Sequence, residues 1–274
     1  MIFVNKTLFI SGASRGIGLE IALRFAAEGA NIVIAAKTNK PHPKLPGTIY
    51  TAAEQIEKLG GKALPLVVDI RDESQVLEAV EKAVQTFGGI DVLINNASAI
   101  QLTNTLKTDM KKFDLMYQVN ARGSYLCAKA CLPYLLKAEN PHIITLSPPL
   151  NMETKWFKHH LAYSMAKFGM SMVTLGLAGE FEGKVAVNSL WPKTIIATAA
   201  IEFAVGSSEM LKLARKPSIM ADAAFEIVQK DAKTYSGEFL IDEDVLREAG
   251  VSDFSMYKND PNVSDAQLIP DFFI

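Results

Sequence analysis

Tyr163-Ser164-Met165-Ala166-Lys167 sets a phenol and an ammonium four residues apart. On a helix, positions i and i+4 lie about 40° apart on one face. A cation beside a phenol favours the phenolate and draws its pKa toward the working range, which suits proton exchange with a carbonyl or alcohol oxygen. About 150 residues earlier stands Ser11-Gly12-Ala13-Ser14-Arg15-Gly16-Ile17-Gly18. Its spacing is G-x-x-x-G-x-G rather than the better-known G-x-G-x-x-G. Between a strand and a helix, such a turn lets backbone N–H groups approach a pyrophosphate, and the helix N-terminus adds partial positive charge. Either pattern alone is common. In this order they point to a dinucleotide lying beside an acid/base.

The next strand specifies which dinucleotide. In NAD sites a carboxylate about 20 residues past the glycines holds the ribose 2′-hydroxyl. Here the strand ends in Ala35-Ala36-Lys37-Thr38, with no carboxylate. Lys37 and, from the glycine turn, Arg15 are the cations that would face a 2′-phosphate. One hydrogen bond to a charged group is worth about 1.5–3 kcal/mol, roughly ten- to a hundred-fold in favour of NADP(H). The plainer reading of Lys37 is a solvated surface lysine.

The elements that must hold these residues follow from hydrophobic patterning. Short apolar strands are expected at 7–10, 31–36, 63–69, 91–95, 142–147, 185–191 and 238–241. Helices are expected at 17–28, 51–59, 73–87, 162–181, 199–214 and 221–229, with a long helical stretch at 109–137 that kinks at Pro133. Pro41, Pro43 and Pro46 keep 38–47 as a loop. Strands apolar on both faces and separated by helices predict an α/β fold with a doubly covered parallel sheet. No linker divides the chain, so 1–274 reads as one domain, with 251–274 as a C-terminal surface extension.

Bulk properties exclude several classes. Lys+Arg is 28 against Asp+Glu 30, so no positive excess is available for nucleic acid. No segment reaches the ~18 apolar residues of a membrane span. The first residues run straight into a strand, unlike a signal peptide, which predicts a cytoplasmic protein. Cys127 and Cys131, four apart in a helical stretch, read as small buried hydrophobes. His42, His142, His159 and His160 form no ligand motif, and no metal is expected.

Taken together, the chain resembles the short-chain dehydrogenase/reductase family from Thr7 to about Asp242. Gly12, Gly16 and Gly18 match that family's cofactor loop, in which Ala13, Ser14, Arg15 and Ile17 also lie. Asp69, followed by Ile70, matches the carboxylate that holds the adenine amino group. Asn95-Asn96-Ala97 matches the turn bordering the cofactor. Asn120 falls where the family places an asparagine supporting a water in the proton relay, and Tyr163 with Lys167 matches the catalytic pair. The resemblance implies a Rossmann-type doubly wound sheet of about seven strands, NADP(H), a small carbonyl or alcohol substrate and a homodimer or homotetramer.

The chain also departs from that pattern. The usual catalytic serine would stand at Leu150 by spacing from the tyrosine, or at Pro148 aligned from the strand. Ser147 is expected to take over part of that role; the alternative is a reorganised or weak site. The Pro-Gly after the sixth strand is Pro192-Lys193. Ala197 holds the usual threonine position with Thr198 next, and Ile195 is expected to offer its backbone to the nicotinamide amide. Glu243-Asp244 replaces a usual Gly-Gly pair.

Two apolar surfaces remain. Trp156, Phe157, His159 and His160 precede Tyr163 and read either as a substrate border or as a packed loop. Leu161, Met165, Phe168, Met172 and Leu175 lie opposite Tyr163 and predict a subunit interface. Pro148, Pro149, Leu150, Trp156, Ile195, Ile196 and Phe203 suggest a hydrophobic substrate, fatty-acyl or steroid-like. The leading function is NADP(H)-dependent carbonyl–alcohol interconversion; the alternative is an NADP(H)-binding sensor with weak or lost catalysis.

Overall fold

Successive residues of each strand go to opposite sides of one sheet, as a period of two requires. Leu8, Ile10, Ile32, Ile34, Ile94 and Ile144 enter one core cluster. Phe9, Val33, Leu93, Ile143 and Val187 enter the other. Both faces are therefore dry, which is why the strands read as unbroken apolar runs. The computed structural model describes residues 1–43, 45–199, 201–202 and 208–274.

The strands are β1 (Thr7–Ser11), β2 (Asn31–Ala36), β3 (Lys62–Val67), β4 (Val92–Asn95), β5 (His142–Thr145), β6 (Ala186–Trp191) and β7 (Phe239–Ile241). They form an all-parallel sheet in the order β3-β2-β1-β4-β5-β6-β7. This is the doubly wound, Rossmann-type arrangement. Chain order reverses between β1 and β4, and the crevice above their C-terminal ends is the place such sheets bind ligands. Pairing of Ile10 with Ile94 and of Asn95 with Thr145 brings three strand ends level there.

One face carries α1 (Gly16–Ala26), α2 (Ile49–Lys58) and α8 (Ser218–Val228); the other carries α3 (Glu73–Phe87), α5 (Gly123–Leu135) and part of α6 (Leu161–Glu180). Further α-helices with full bounds among the described residues are α4 (Met110–Tyr117), α7 (Ser208–Lys212) and α9 (Asp242–Glu248). Local chemistry sets several boundaries. Asp72 accepts from Gln75 N at 3.2 Å to start α3, and Gly88 with φ 89° ends it. Thr48 and Thr51 form a reciprocal capping box for α2.

One expectation is corrected. The stretch 109–137 is not one helix kinked at Pro133: α5 runs through Pro133 to Leu135. The interruption is a π turn at Gln118–Arg122, centred on Asn120. Pro133 lies in the last turn of α5, so the bond its missing N–H forgoes to Lys129 O falls at the helix end rather than mid-helix. Residues 251–274 run mostly along the surface, with Phe254, Tyr257, Leu268 and Phe273 turned inward and buried. The helix expected at 199–214 falls partly on residues 200 and 203–207, outside the described residues, as does Phe203; within the described part, 199, 201, 202 and α7 are helical. Among the described residues, no helix is long and apolar enough to cross a membrane.

On α6, Phe168 is buried, while Leu161, Met165, Met172 and Leu175 are exposed. Cys127 and Cys131 are both free and buried.

His142, at the start of β5, is wholly buried beside Asn140 Nδ2 and Lys230 O, each 3.1 Å from its Nε2. Burial pulls its pKa down to about 4. Below about 6.5 the unfolded chain binds this proton first, so the stability contribution is lost as pH falls from about 6.5 through 4. Urea unfolding at pH 7 and 4.5 is expected to show the wild type losing roughly 2 kcal/mol more than His142→Gln. Equal losses would show that the imidazole is not held neutral.

Candidate active site

The glycine turn is built to receive an anion. Gly12 has φ 73°, a conformation unfavourable for other residues. Asn96 donates its amide to Ser11 O at 2.9 Å and Gly12 O at 3.1 Å. Ser11 Oγ in turn accepts from the N–H groups of Asn96 and Ala97 at 3.0 and 3.1 Å. A Cβ at Gly18 would lie 2.4 Å from Asn96 Nδ2, so only glycine leaves room for this clamp. Arg15 occupies the N-cap position of α1 without a side-chain cap, and the first turn holds no acidic residue. The first N–H groups of α1 are thus open to a ligand. Ala13 and Ser14 are buried under the turn, and Ile17 packs onto the core. A pyrophosphate fits this cradle.

Arg15 donates to Pro46 O at 2.9 Å and Gly47 O at 3.0 Å, which ties the 38–47 loop over the turn. That use competes with its expected contact to a 2′-phosphate. Lys37 remains exposed at the crevice edge, 3.6 Å from Asp69. Arg71, which sequence reasoning missed, grips Asp69 through Nε at 2.9 and 3.1 Å and Nη2 at 2.5 Å. The Arg71 hydrogen bond, with Lys37 nearby, holds the Asp69 carboxyl down at about 2. Ile70 is buried next to Gly123.

Beyond β5, the strand end is fastened to α6. Lys167 Nζ donates to Leu146 O at 2.6 Å and lies 4.9 Å from the Trp191 ring centre. Ser171 Oγ donates to Pro148 O at 2.6 Å. Burial lowers the Lys167 pKa to about 7, against a nearby Asp271 that raises it. Burial raises that of Tyr163, and Asp271 adds to the rise. At Tyr163 desolvation dominates, and the Lys167 ammonium donates to the Leu146 carbonyl.

Asn120 is fully buried, its Oδ1 accepting from Ala99 N at 2.7 Å and its Nδ2 donating to Ala99 O at 3.0 Å. Its side chain pins the segment after β4. Ser147 Oγ is buried and has no hydrogen-bond partner among the described residues.

The segment after β6 is occupied by the chain's own tail. Ile195 N donates to Ile269 O at 2.9 Å and Ile195 O accepts from Arg215 N at 3.0 Å, so its backbone is not open to a nicotinamide. Lys193 N donates to Asp242 Oδ1 at 2.9 Å, holding the turn after Pro192, and Glu243 is buried against Arg215 at 2.6 Å. Thr198 lies beside Gly16, where a Cβ would be 3.5 Å from its methyl, at the diphosphate cradle rather than the nicotinamide end. Trp156, Phe157 and Tyr163 join an aromatic cluster with Phe168, Trp191 and Phe273. His160, also buried, sets its ring edge-on to Tyr163, while His159 is exposed.

The family described as short chain dehydrogenase matches residues 6–204. The chain belongs to it. Members of this short-chain dehydrogenase family are oxidoreductases that use a nicotinamide cofactor. Hydroxysteroid dehydrogenase-like protein 2 of Danio rerio is 60% identical over 268 residues, covering 98% of this chain and 63% of the relative. The Homo sapiens protein of that name is 58% identical with the same coverage. The chain thus spans less than two thirds of these curated relatives. A short chain dehydrogenase structure from Mycobacterium thermoresistibile superposes with TM-score 0.93 at 48% identity, covering 99% of this chain and 95% of that one. A structure described as a dehydrogenase from Xanthomonas campestris reaches TM-score 0.95 at 55% identity, covering 99% of this chain and 98% of that one.

Gly18→Ala is expected to drive Asn96 off the Ser11 and Gly12 carbonyls and weaken binding of a reduced nicotinamide dinucleotide at least about tenfold, the worth of one such hydrogen bond. Fluorescence titration checks it; unchanged affinity would show that the clamp does not shape the cradle.

Proposed function

We propose that this chain is an NADP(H)-dependent oxidoreductase that interconverts a carbonyl and a secondary alcohol on an apolar substrate. The observation that carries the reading is an uncapped glycine cradle after β1, on the same C-terminal edge of the parallel sheet as Leu146 after β5, to which Lys167 of the Tyr163–Lys167 pair is bonded. The preference for NADP(H) rests on the adenosine end. No carboxylate ends β2, and Lys37 with Arg71 outweighs the single negative charge of Asp69. Gly12 to Gly18 would hold the diphosphate, Asp69, Ile70, Asn96 and Ala97 would border the adenosine and central portions, and the turn at Pro192 would border the nicotinamide.

Bound there, NADP(H) supplies or accepts the hydride at the substrate carbon. In the reductive direction, Tyr163 gives its proton to the carbonyl oxygen as the carbon receives hydride. Burial favours the protonated phenol, which is the form this direction needs. Lys167 holds β5 in place through Leu146 O and, when protonated, brings a positive charge to the same enclosure. Asn120 fixes the neighbouring loop, and the buried Ser147 hydroxyl is a candidate to orient the substrate oxygen. The exposed apolar residues of α6 support assembly as a homodimer or homotetramer.

NADPH is expected to bind more tightly than NADH, with that preference falling roughly ten- to a hundred-fold in Lys37→Ala or Arg71→Ala. Fluorescence titration reads it, and equal binding of the two cofactors would remove the 2′-phosphate argument. Tyr163→Phe is expected to cut turnover about 10²–10⁴-fold while NADPH affinity holds. NADPH binding without turnover on a broad carbonyl panel would instead favour a sensor.

A further inference from the structure

The substrate side of Tyr163 is furnished by the far end of the chain. Residues 269–271 run antiparallel to 193–195: Ile195 N donates to Ile269 O at 2.9 Å and Asp271 N to Lys193 O at 3.1 Å, with a bridge between Thr194 and Pro270. Ile269 N donates to Leu213 O at 3.0 Å, and the Trp191 indole donates to Phe272 O at 2.7 Å. These bonds deliver Phe273 into the site. It is 1% exposed, with a backbone φ of 73° that a non-glycine residue adopts only when its surroundings hold it.

The ring of Phe273 is enclosed by aromatic partners. Its centroid lies 5.1 Å from Phe168, 5.7 Å from Trp156, 5.9 Å from Trp191 and 6.4 Å from Tyr163. A carbonyl that receives a proton from Tyr163 must place one of its two substituents in this neighbourhood. The space beside the Tyr163 ring is taken up by the benzyl group of Phe273.

We propose that Phe273 is the specificity-determining wall of the substrate pocket, admitting slender, unbranched ketones beside Tyr163 and excluding ring-bearing ones. The inference rests on the carbonyl–alcohol reading above and narrows it, favouring a chain-like over a fused-ring substrate. A wall fits better than a removable plug. Withdrawal would break four hydrogen bonds along the tail and expose a ring packed on every side. Shortening the side chain would leave an apolar space next to the phenol, and such spaces stay dry and take apolar guests.

The test compares methyl hexyl ketone with cyclohexyl methyl ketone, equal in carbon count but different in width. In Phe273→Ala, and in the gentler Phe273→Leu, kcat/KM with NADPH is expected to rise about tenfold or more for the cyclohexyl ketone relative to the hexyl one. NADPH affinity equal to that of the wild type confirms an intact cradle. Rates rising alike for both ketones would overturn the wall in favour of a plug, and unchanged selectivity would reduce Phe273 to a packing residue. A second readout does not need turnover. Trp156 and Trp191, the two tryptophans of the chain, both flank Phe273. Saturable quenching of their emission by cyclohexyl methyl ketone is expected in Phe273→Leu and not in the wild type; quenching alike in both overturns the proposal. If Tyr163→Phe retains full turnover, the reaction assignment fails, while the quenching result still decides the wall.

Discussion

The clamp between Asn96, Ser11 and Gly12 is the interaction on which the site depends. It joins the ends of β1 and β4, the two strands at which the winding of the sheet reverses. A parallel sheet leaves its strand ends diverging into opposite helical layers, so the crevice between them has no ladder bonds of its own. One side chain supplies the connection, using its amide for two carbonyls while a serine hydroxyl takes up the adjoining N–H groups. The same bonds aim the glycine turn, and hence the uncapped start of α1, at the space above. Asn120 extends the bracing by fastening Ala99, just beyond, to the π turn.

The two ends of the crevice are electrostatic opposites. Just past the ends of β2 and β3, Lys37 and Arg71 share one carboxylate at the surface, where water screens the pairing. At the catalytic end the groups sit among aromatic rings. There desolvation outweighs neighbouring charge: the phenol of Tyr163 keeps its proton, the ammonium of Lys167 loses its own near pH 7, and Asp271 is pushed up to about 7. The spacing of a phenol and an ammonium on one helix face carries no information about this enclosure.

Much of the fold is legible residue by residue. Continuous apolar runs such as Asn31–Ala36 can be buried only on both faces, and helices between them can close only a parallel sheet. Asp72 and Gly88 bound α3 through bonds spanning a few residues. The long helical stretch is harder. Its break lies at a π turn whose central Asn120 bonds to Ala99, 21 residues away, while Pro133 draws attention to a place where the helix is intact.

The sequence by itself determined the α/β class, the glycine turn, the missing carboxylate after β2, and the placing of Tyr163 and Lys167 on one helical face. All of these arise from local spacing and burial periodicity. Tertiary structure alone decided that Ser11 braces the cradle, that Arg71 joins Lys37, that Arg15 is drawn to the loop carbonyls, and that Phe273 reaches Tyr163. Each depends on contacts between residues distant along the chain, or on which of several available partners a side chain finds, and nothing in local pattern ranks those choices.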